Sequence, residues 1–151
     1  MQLVVKTLTC RCGHQHDTGV VPPNSYGEFL LRSARDATVR YVNSLEDPVY
    51  NELHDRIAKH PQHLEDSARE RADVLQRIFG ITCDSSIGST DLMIGRFPKC
   101  PSCGADAVVD WVLSEPLQFE ELDVPAVTHT KWQQLSDAEK QALVDKALGS
   151  S

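Results

Sequence analysis

Four cysteines, in two short pairs far apart in the chain, constrain this fold more than any other feature. Cys10 and Cys12 lie in Thr9-Cys10-Arg11-Cys12-Gly13-His14, and Cys100 and Cys103 lie in Lys99-Cys100-Pro101-Ser102-Cys103-Gly104. Each pair is followed at once by glycine. A tight turn can bring two thiolates to one cation, and glycine lets the backbone take positive φ just past the second sulfur.

Two such pairs can close a tetrahedron around one Zn²⁺, with sulfur at about 2.3 Å. The long stretch between them is no obstacle, because closing a loop costs only a logarithmic entropy term that metal binding offsets. Cys10-Arg11-Cys12 has one spacer residue, so two ligand sets are open. One is Cys10, Cys12, Cys100 and Cys103. In the other, His14 or His16 replaces a cysteine of the first pair. The four-cysteine set is the favoured one. It leaves no open position for water or substrate, so the site reads as structural. The alternative of a dithiol redox motif at Cys100 needs a helix N-terminus to activate the first thiol, whereas Ala105–Leu113 reads as a strand. The fifth cysteine, Cys83, has no basic neighbour in sequence and is expected to be buried.

No apolar run is long enough to span a bilayer, and the N-terminus lacks a basic region followed by a long apolar core. The expectation is a soluble, non-exported, cytoplasmic chain, where thiolate–metal chemistry is favoured over disulfides. The net charge is −7, and Ala105–Ser151 carries −6 of it. Phosphate backbones repel such a chain, so nucleic-acid binding is disfavoured, and a basic protein partner or simple solubility is the favoured meaning of the charge.

Along the chain, Met1–Thr9 reads as a strand entering the first knuckle, and Thr18–Val21 as its return, stopped by Pro22-Pro23. Ser25–Ser44 fits either state: Phe29, Leu30, Leu31, Ala34 and Ala37 could line a helix, and Thr38–Val42 could be a strand. Helix is preferred. Asp47-Pro48 is an N-cap with proline at the first helical position, and Val49, Leu53 and Ile57 share a face. A second helix is expected over Leu64–Phe79, with Leu64, Ala68, Ala72, Leu75 and Phe79 as its stripe and Gly80 as its stop. Leu92–Ile94 leads into the second knuckle. Ala107–Leu113 is a strand, and Leu117–Leu122 is expected to pair back on it after Ser114-Glu115-Pro116. Pro125–Gln134 reads as an extended segment or short turn. Ser136-Asp137-Ala138-Glu139 is a capping box opening the last helix.

His54, His60 and His63 could bind a second metal or act as a base. No His-Glu-x-x-His motif holds them together, and exposed helix-end histidines are the preferred reading. Trp132 is expected to pack under the last helix, and the Ser/Gly loop around Gly88 to be a connector. Arg69, Arg71 and Arg77 with Glu65, Glu70 and Asp73 read as a solvated face with internal ion pairs.

Cys10-Arg11-Cys12-Gly13-His14, Val42-Asn43-Ser44-Leu45-Glu46-Asp47-Pro48 before a helix, and Cys100-Pro101-Ser102-Cys103-Gly104 together resemble the bacterial CpXC-type proteins. The first motif departs from that pattern by lacking the proline and one spacer residue. The resemblance implies a bacterial cytosolic zinc-binding domain carried by the four cysteines, and it supplies no activity.

The fold expected is α+β, as a single domain over 1–151. An antiparallel zinc-ribbon sheet is built from halves 1–23 and 91–123, with a helical insertion 24–80 and a C-terminal helix 136–148. The function expected is a non-catalytic protein-binding, inhibitor, immunity-type or regulatory module with structural Zn²⁺. The alternatives are a hydrolase or nuclease using His54, His60 or His63, and a nucleic-acid-binding ribbon.

Overall fold

The computed structural model describes residues 1–149 of the chain. It is α+β, with two antiparallel sheets and four α-helices among the described residues. Among the described residues, no helix is long and apolar enough to cross a membrane.

The first sheet joins the two ends of the sequence. Strand β1 (Gln2–Cys10) is its spine. Leu3 and Val4 point to opposite faces, as successive strand residues must, and both are fully buried. Strand β2 (Gln15–Val20) pairs antiparallel with it from Val4↔Val20 to Thr9↔Gln15. The return strand thus starts earlier than Thr18, directly after the knuckle turn.

On the other side of β1 lie two strands placed end to end. Strand β6 (Val108–Leu113) covers Lys6–Cys10, and β7 (Phe119–Glu121) covers Gln2–Val4. The expectation that 117–122 folds back on β6 is therefore corrected. Pairing with β6 ends at Lys6↔Leu113, which leaves the first half of β1 with unpaired backbone groups. Residues 114–118 loop outward, Gln118 accepts the Val5 N–H at 2.9 Å, and β7 satisfies the rest.

The second sheet has the order β4-β3-β5, from β3 (Glu28–Ser33), β4 (Val39–Asn43) and β5 (Leu92–Ile94). Two expectations change here. The insertion 24–80 is not wholly helical, because Ser25–Ser44 forms the β3–β4 hairpin. Segment 92–94 pairs with β3 and not with the ribbon strands. Leu30 and Leu31 are both buried on a central strand, which a helix would also have allowed. The β-branched run Thr38-Val39 with Val42 tips the hairpin toward strand.

Helix α1 (Pro48–Ala58) starts as expected: Asp47 Oδ1 accepts the Val49 and Tyr50 N–H groups, and Val49, Leu53 and Ile57 are buried. Helix α2 (Ala68–Ile78) starts later than expected, at a capping box of Ser67 with Glu70. Leu64 and Ala68 are exposed, and the buried stripe is Val74, Leu75 and Ile78. Replacing Ser67 with Ala should cost about 1 kcal/mol in urea unfolding, with Gly costing only a few tenths. After α2, a 3-10 turn over 79–82 packs on β5. A Cβ on Gly80 would lie 1.8 Å from the Leu92 carbonyl oxygen, so no side chain fits there.

The chain then crosses to the helices by way of a short bridge, Tyr41↔Ala126. Helix α3 (Thr130–Gln133) and helix α4 (Asp137–Gly149) close the fold. The capping box on Ser136 and Glu139 forms as expected. Trp132 is fully buried under this region, alongside Val144 and Leu148. Arg56 ties α1 to the start of α4, reaching Glu52, Asp137 and Gln141.

The main core is formed by the second sheet and the helices: Leu31, Val42, Leu53, Ile57, Leu75, Phe79 and Trp132 are among its members. No residue of β1, β2, β6 or β7 belongs to that cluster.

Candidate metal centre

Both knuckles sit at one end of the first sheet. Cys10 is the last residue of β1, and the pairing with β6 shifts between Thr9 and Cys10. Such a bulge re-aims a side chain at the rim of a sheet. Beyond it the chain turns tightly: Gly13 N–H donates to the Cys10 carbonyl at 2.8 Å, and Cys10 N–H to the His14 carbonyl at 2.9 Å. The second knuckle repeats the plan, with Gly104 N–H donating to the Cys100 carbonyl at 2.8 Å and Cys100 N–H to the Ala105 carbonyl at 3.0 Å. Gly13 and Gly104 have φ of 91° and 73°, the left-handed region expected for them. Arg11 N–H donates to the Ala107 carbonyl at 2.9 Å, which fastens one knuckle to the other.

The result is a convergence of Cys10, Cys12, Cys100 and Cys103, with all four sulfurs within 4.8 Å of one another. Cys10 Sγ lies 3.5 Å from Cys103 Sγ, and Cys12 Sγ lies 3.7 Å from Cys100 Sγ. A tetrahedron with metal–sulfur bonds of about 2.3 Å has edges of about 3.8 Å. A disulfide needs about 2.05 Å, and all four cysteines are free thiols. The group could hold a metal ion. His14 and His16 are not part of it. Their rings stack on each other, 6.2 Å apart.

Cys10 and Cys100 are buried and Cys12 and Cys103 exposed, so the site has a closed inner side and an open outer one. Proton affinity is uneven across it. The backbone N–H groups of Cys103 and Ser102 aim at Cys100 Sγ and lower its pKa to about 6. The Cys12 N–H favours the Cys10 thiolate, but burial and three neighbouring thiols outweigh it, and that pKa rises to about 12. A cation taken up here displaces protons. No helix begins at Cys100. The chain continues into β6, so the backbone turn, helped by the Cys12 and Cys10 thiols, lowers this thiol without a helix.

The histidines of the middle region do not converge. His54 is exposed beside Asp55. His60 accepts the Gln62 N–H and lies 3.4 Å from Asp145, and His63 Nδ1 is 2.5 Å from Asp66. The His60 and His63 rings are 5.7 Å apart. His60 borders an open groove of about 830 Å³ between α1 and α4, with Arg56, Lys59 and Asp137. Cys83 is buried, and burial pushes its thiol up to about 12. The face of α2 is exposed, but Arg69, Arg71 and Arg77 make no ion pair with Glu65, Glu70 or Asp73 among the described residues.

A second polar centre was not legible in the sequence. His129 Nε2 lies 2.8 Å from Asp47 Oδ2, and its Nδ1 lies 2.8 Å from the Thr82 carbonyl oxygen. With an acceptor at each nitrogen, the doubly protonated ring satisfies both. Asp84 nearby accepts the Lys131 and Thr130 N–H groups and the Thr128 hydroxyl. These contacts fasten α1, the 79–82 turn and α3 together. Partners this distant in sequence leave no local signal.

Comparison of the chain with family models, with curated proteins and with solved structures finds no match.

Proposed function

We propose that this protein is a zinc-binding module whose Cys10, Cys12, Cys100 and Cys103 hold one structural Zn²⁺, and which acts by binding another protein and not by catalysis. The observation that carries the reading is the four-sulfur convergence at tetrahedral spacing. All-thiolate tetrahedral sites suit zinc, and four sulfurs leave no coordination position for a substrate. The two sheet halves joined by the knuckles then form a zinc ribbon, in keeping with the CpXC-type resemblance and with a cytoplasmic setting that keeps thiols reduced.

The strand edge supports the binding role. Trp111, Val112, Phe119 and Leu122 are exposed on or beside β6 and β7, the outer strands of the sheet. Asp110, Glu120, Glu121 and Asp123 lie among them, and no lysine or arginine occurs between Lys99 and Lys131. Exposed apolar and acidic side chains along this edge suit a basic protein surface. Inhibitor, immunity-type and regulatory roles share that requirement.

Elemental analysis of the purified protein tests the metal assignment. One zinc per chain is expected, with Cys100→Ser retaining a small fraction of it. A folded protein carrying no metal in either form would refute it.

A further inference from the structure

Strand β6 is an open sheet edge. It pairs with β1, and among the described residues no strand lies on its other side. The Val5 and Arg11 N–H groups point from β1 toward β7 and β6. By alternation those of Thr7 and Thr9 do the same, so the ladder bonds of β6 fall on Val112 and Asp110. The N–H and C=O groups of Trp111 and Leu113 therefore face outward. Among the described residues only the Trp111 N–H has a partner there, Asp110 Oδ1 at 2.9 Å. Exposed edges are commonly blunted by lysine or proline, and β6 contains neither.

The register puts Trp111 and Leu113 on one face of the strand, across from Leu8 and Lys6, and Asp110 and Val112 on the other. Trp111 and Val112 are more than half exposed. Charge separates the possible occupants. Glu121 is held by the N-terminal ammonium at 3.0 Å, and Asp106 lies 3.6 Å from Arg96, so these two acids are answered inside the protein. Asp110 and Glu115 pair with no cation among the described residues. A second copy of this chain would bring the same unpaired acids to the same edge, whereas a basic strand complements them.

We infer that the protein partner adds an extended basic segment to the β6 edge as a further strand, with apolar residues beside Trp111 and Leu113 and a lysine or arginine beside Asp110. This rests on the protein-binding reading above and names its mode. The alternation follows from the pairing. The residue opposite Trp111 exchanges backbone bonds with it on the apolar face, and its neighbours fall on the face of Asp110. Asp110 then has two roles. In the free protein its carboxylate occupies the Trp111 N–H. In the complex a carbonyl oxygen of the added strand takes that N–H, and the released carboxylate meets the cation.

The probe is a blocked hexapeptide alternating lysine and valine, titrated into the ¹⁵N-labelled protein as purified. One control peptide has glutamate for lysine. The other has proline for valine, which keeps the charge and removes the N–H groups that would meet the Trp111 and Leu113 carbonyls. The expected result is saturable amide shifts along 108–113 with the lysine–valine peptide. At about ten times its Kd, the Trp111 and Leu113 amides should exchange about tenfold more slowly, while those of Asp110 and Val112, already in the ladder, keep their rates. Neither control should protect them. Asp110→Asn, which keeps an acceptor for the Trp111 N–H, should weaken the lysine–valine peptide about two- to fivefold. Equal binding of the lysine–valine and lysine–proline peptides would overturn strand addition and leave a basic partner, and so the reading above, standing. Equal binding of the lysine–valine and glutamate–valine peptides would remove the basic partner from both. No saturable binding would overturn the inference and leave the zinc assignment untouched. Trp111 and Leu113 amides already protected in the free protein, with a dimer in sedimentation, would make a second copy the occupant and overturn it too. The peptide comparison in the unaltered protein stands even if Asp110→Asn fails to fold.

Discussion

Stripping the metal with a chelator is expected to unfold the sheet of β1, β2, β6 and β7 while the helical body stays folded. The reason is the division of the core. Leu3, Val4 and Leu8 are fully buried in the first sheet, but the large apolar cluster lies elsewhere, among the second sheet and the helices. A few short strands with so small a core do not stand alone, and small domains of this kind rely on a metal or a disulfide. Structural zinc supplies an apparent binding energy of about 10–16 kcal/mol at neutral pH, far more than these side chains can replace. The knuckles also hold β1 to β6, so losing them frees the edge that β7 shares. In an amide NMR spectrum, residues 2–20 and 108–121 should lose dispersion on chelation, while residues around Trp132 keep theirs. A first sheet that keeps its dispersion without metal would show that the cysteines do not hold it.

The second large effect is expected at His129. Replacing it with alanine should cost about 3 kcal/mol, the lower end for a broken buried pair, because Asp47 would lose its counter-charge but keep the Val49 and Tyr50 N–H groups. Asp47→Asn separates the two roles of the carboxylate. Asparagine can still cap α1, so its cost measures the ion pair alone. Urea unfolding of the two variants decides the matter, and a loss below about 1 kcal/mol for His129→Ala would place the pair among surface ion pairs.

The same pair predicts a pH window. Burial disfavours the His129 charge, but the Asp47 carboxylate and the Thr82 carbonyl oxygen outweigh it, and the pKa is raised above 6.5. Burial also disfavours the Asp47 charge, but the His129 bond and the α1 N–H groups outweigh it, and the pKa is lowered from 3.8. The histidine's contribution is complete below its unfolded pKa and is lost as pH rises through the higher folded one. The aspartate's contribution is complete above its unfolded pKa and is lost as pH falls through the lower folded one. Stability should therefore plateau between the two unfolded values, 3.8 and 6.5, and decline as pH rises above the upper one. In His129→Ala that alkaline decline should vanish.

What could be read from the sequence was what local chemistry decides. Asp47-Pro48 and Ser136–Glu139 set helix starts through side chains bonding neighbouring N–H groups, and both form as written. Gly13 and Gly104 take the positive φ that a knuckle requires. The cysteine set was legible because metal ligation restricts residue type and spacing together. The β3–β4 hairpin was not, since Phe29-Leu30-Leu31 is a continuous apolar run that suits a buried helix and a central strand equally. Pairing partners were also hidden. Leu92–Ile94 joins β3 and Phe119–Glu121 joins β1 through contacts that no local pattern specifies.

X-ray absorption at the zinc edge of the purified protein would test the metal centre most directly. Four sulfur neighbours at about 2.3 Å, and no nitrogen or oxygen shell, is the predicted result. A shell containing nitrogen would put a histidine in place of one of the four cysteines, and an absent zinc edge would contradict the metal assignment altogether.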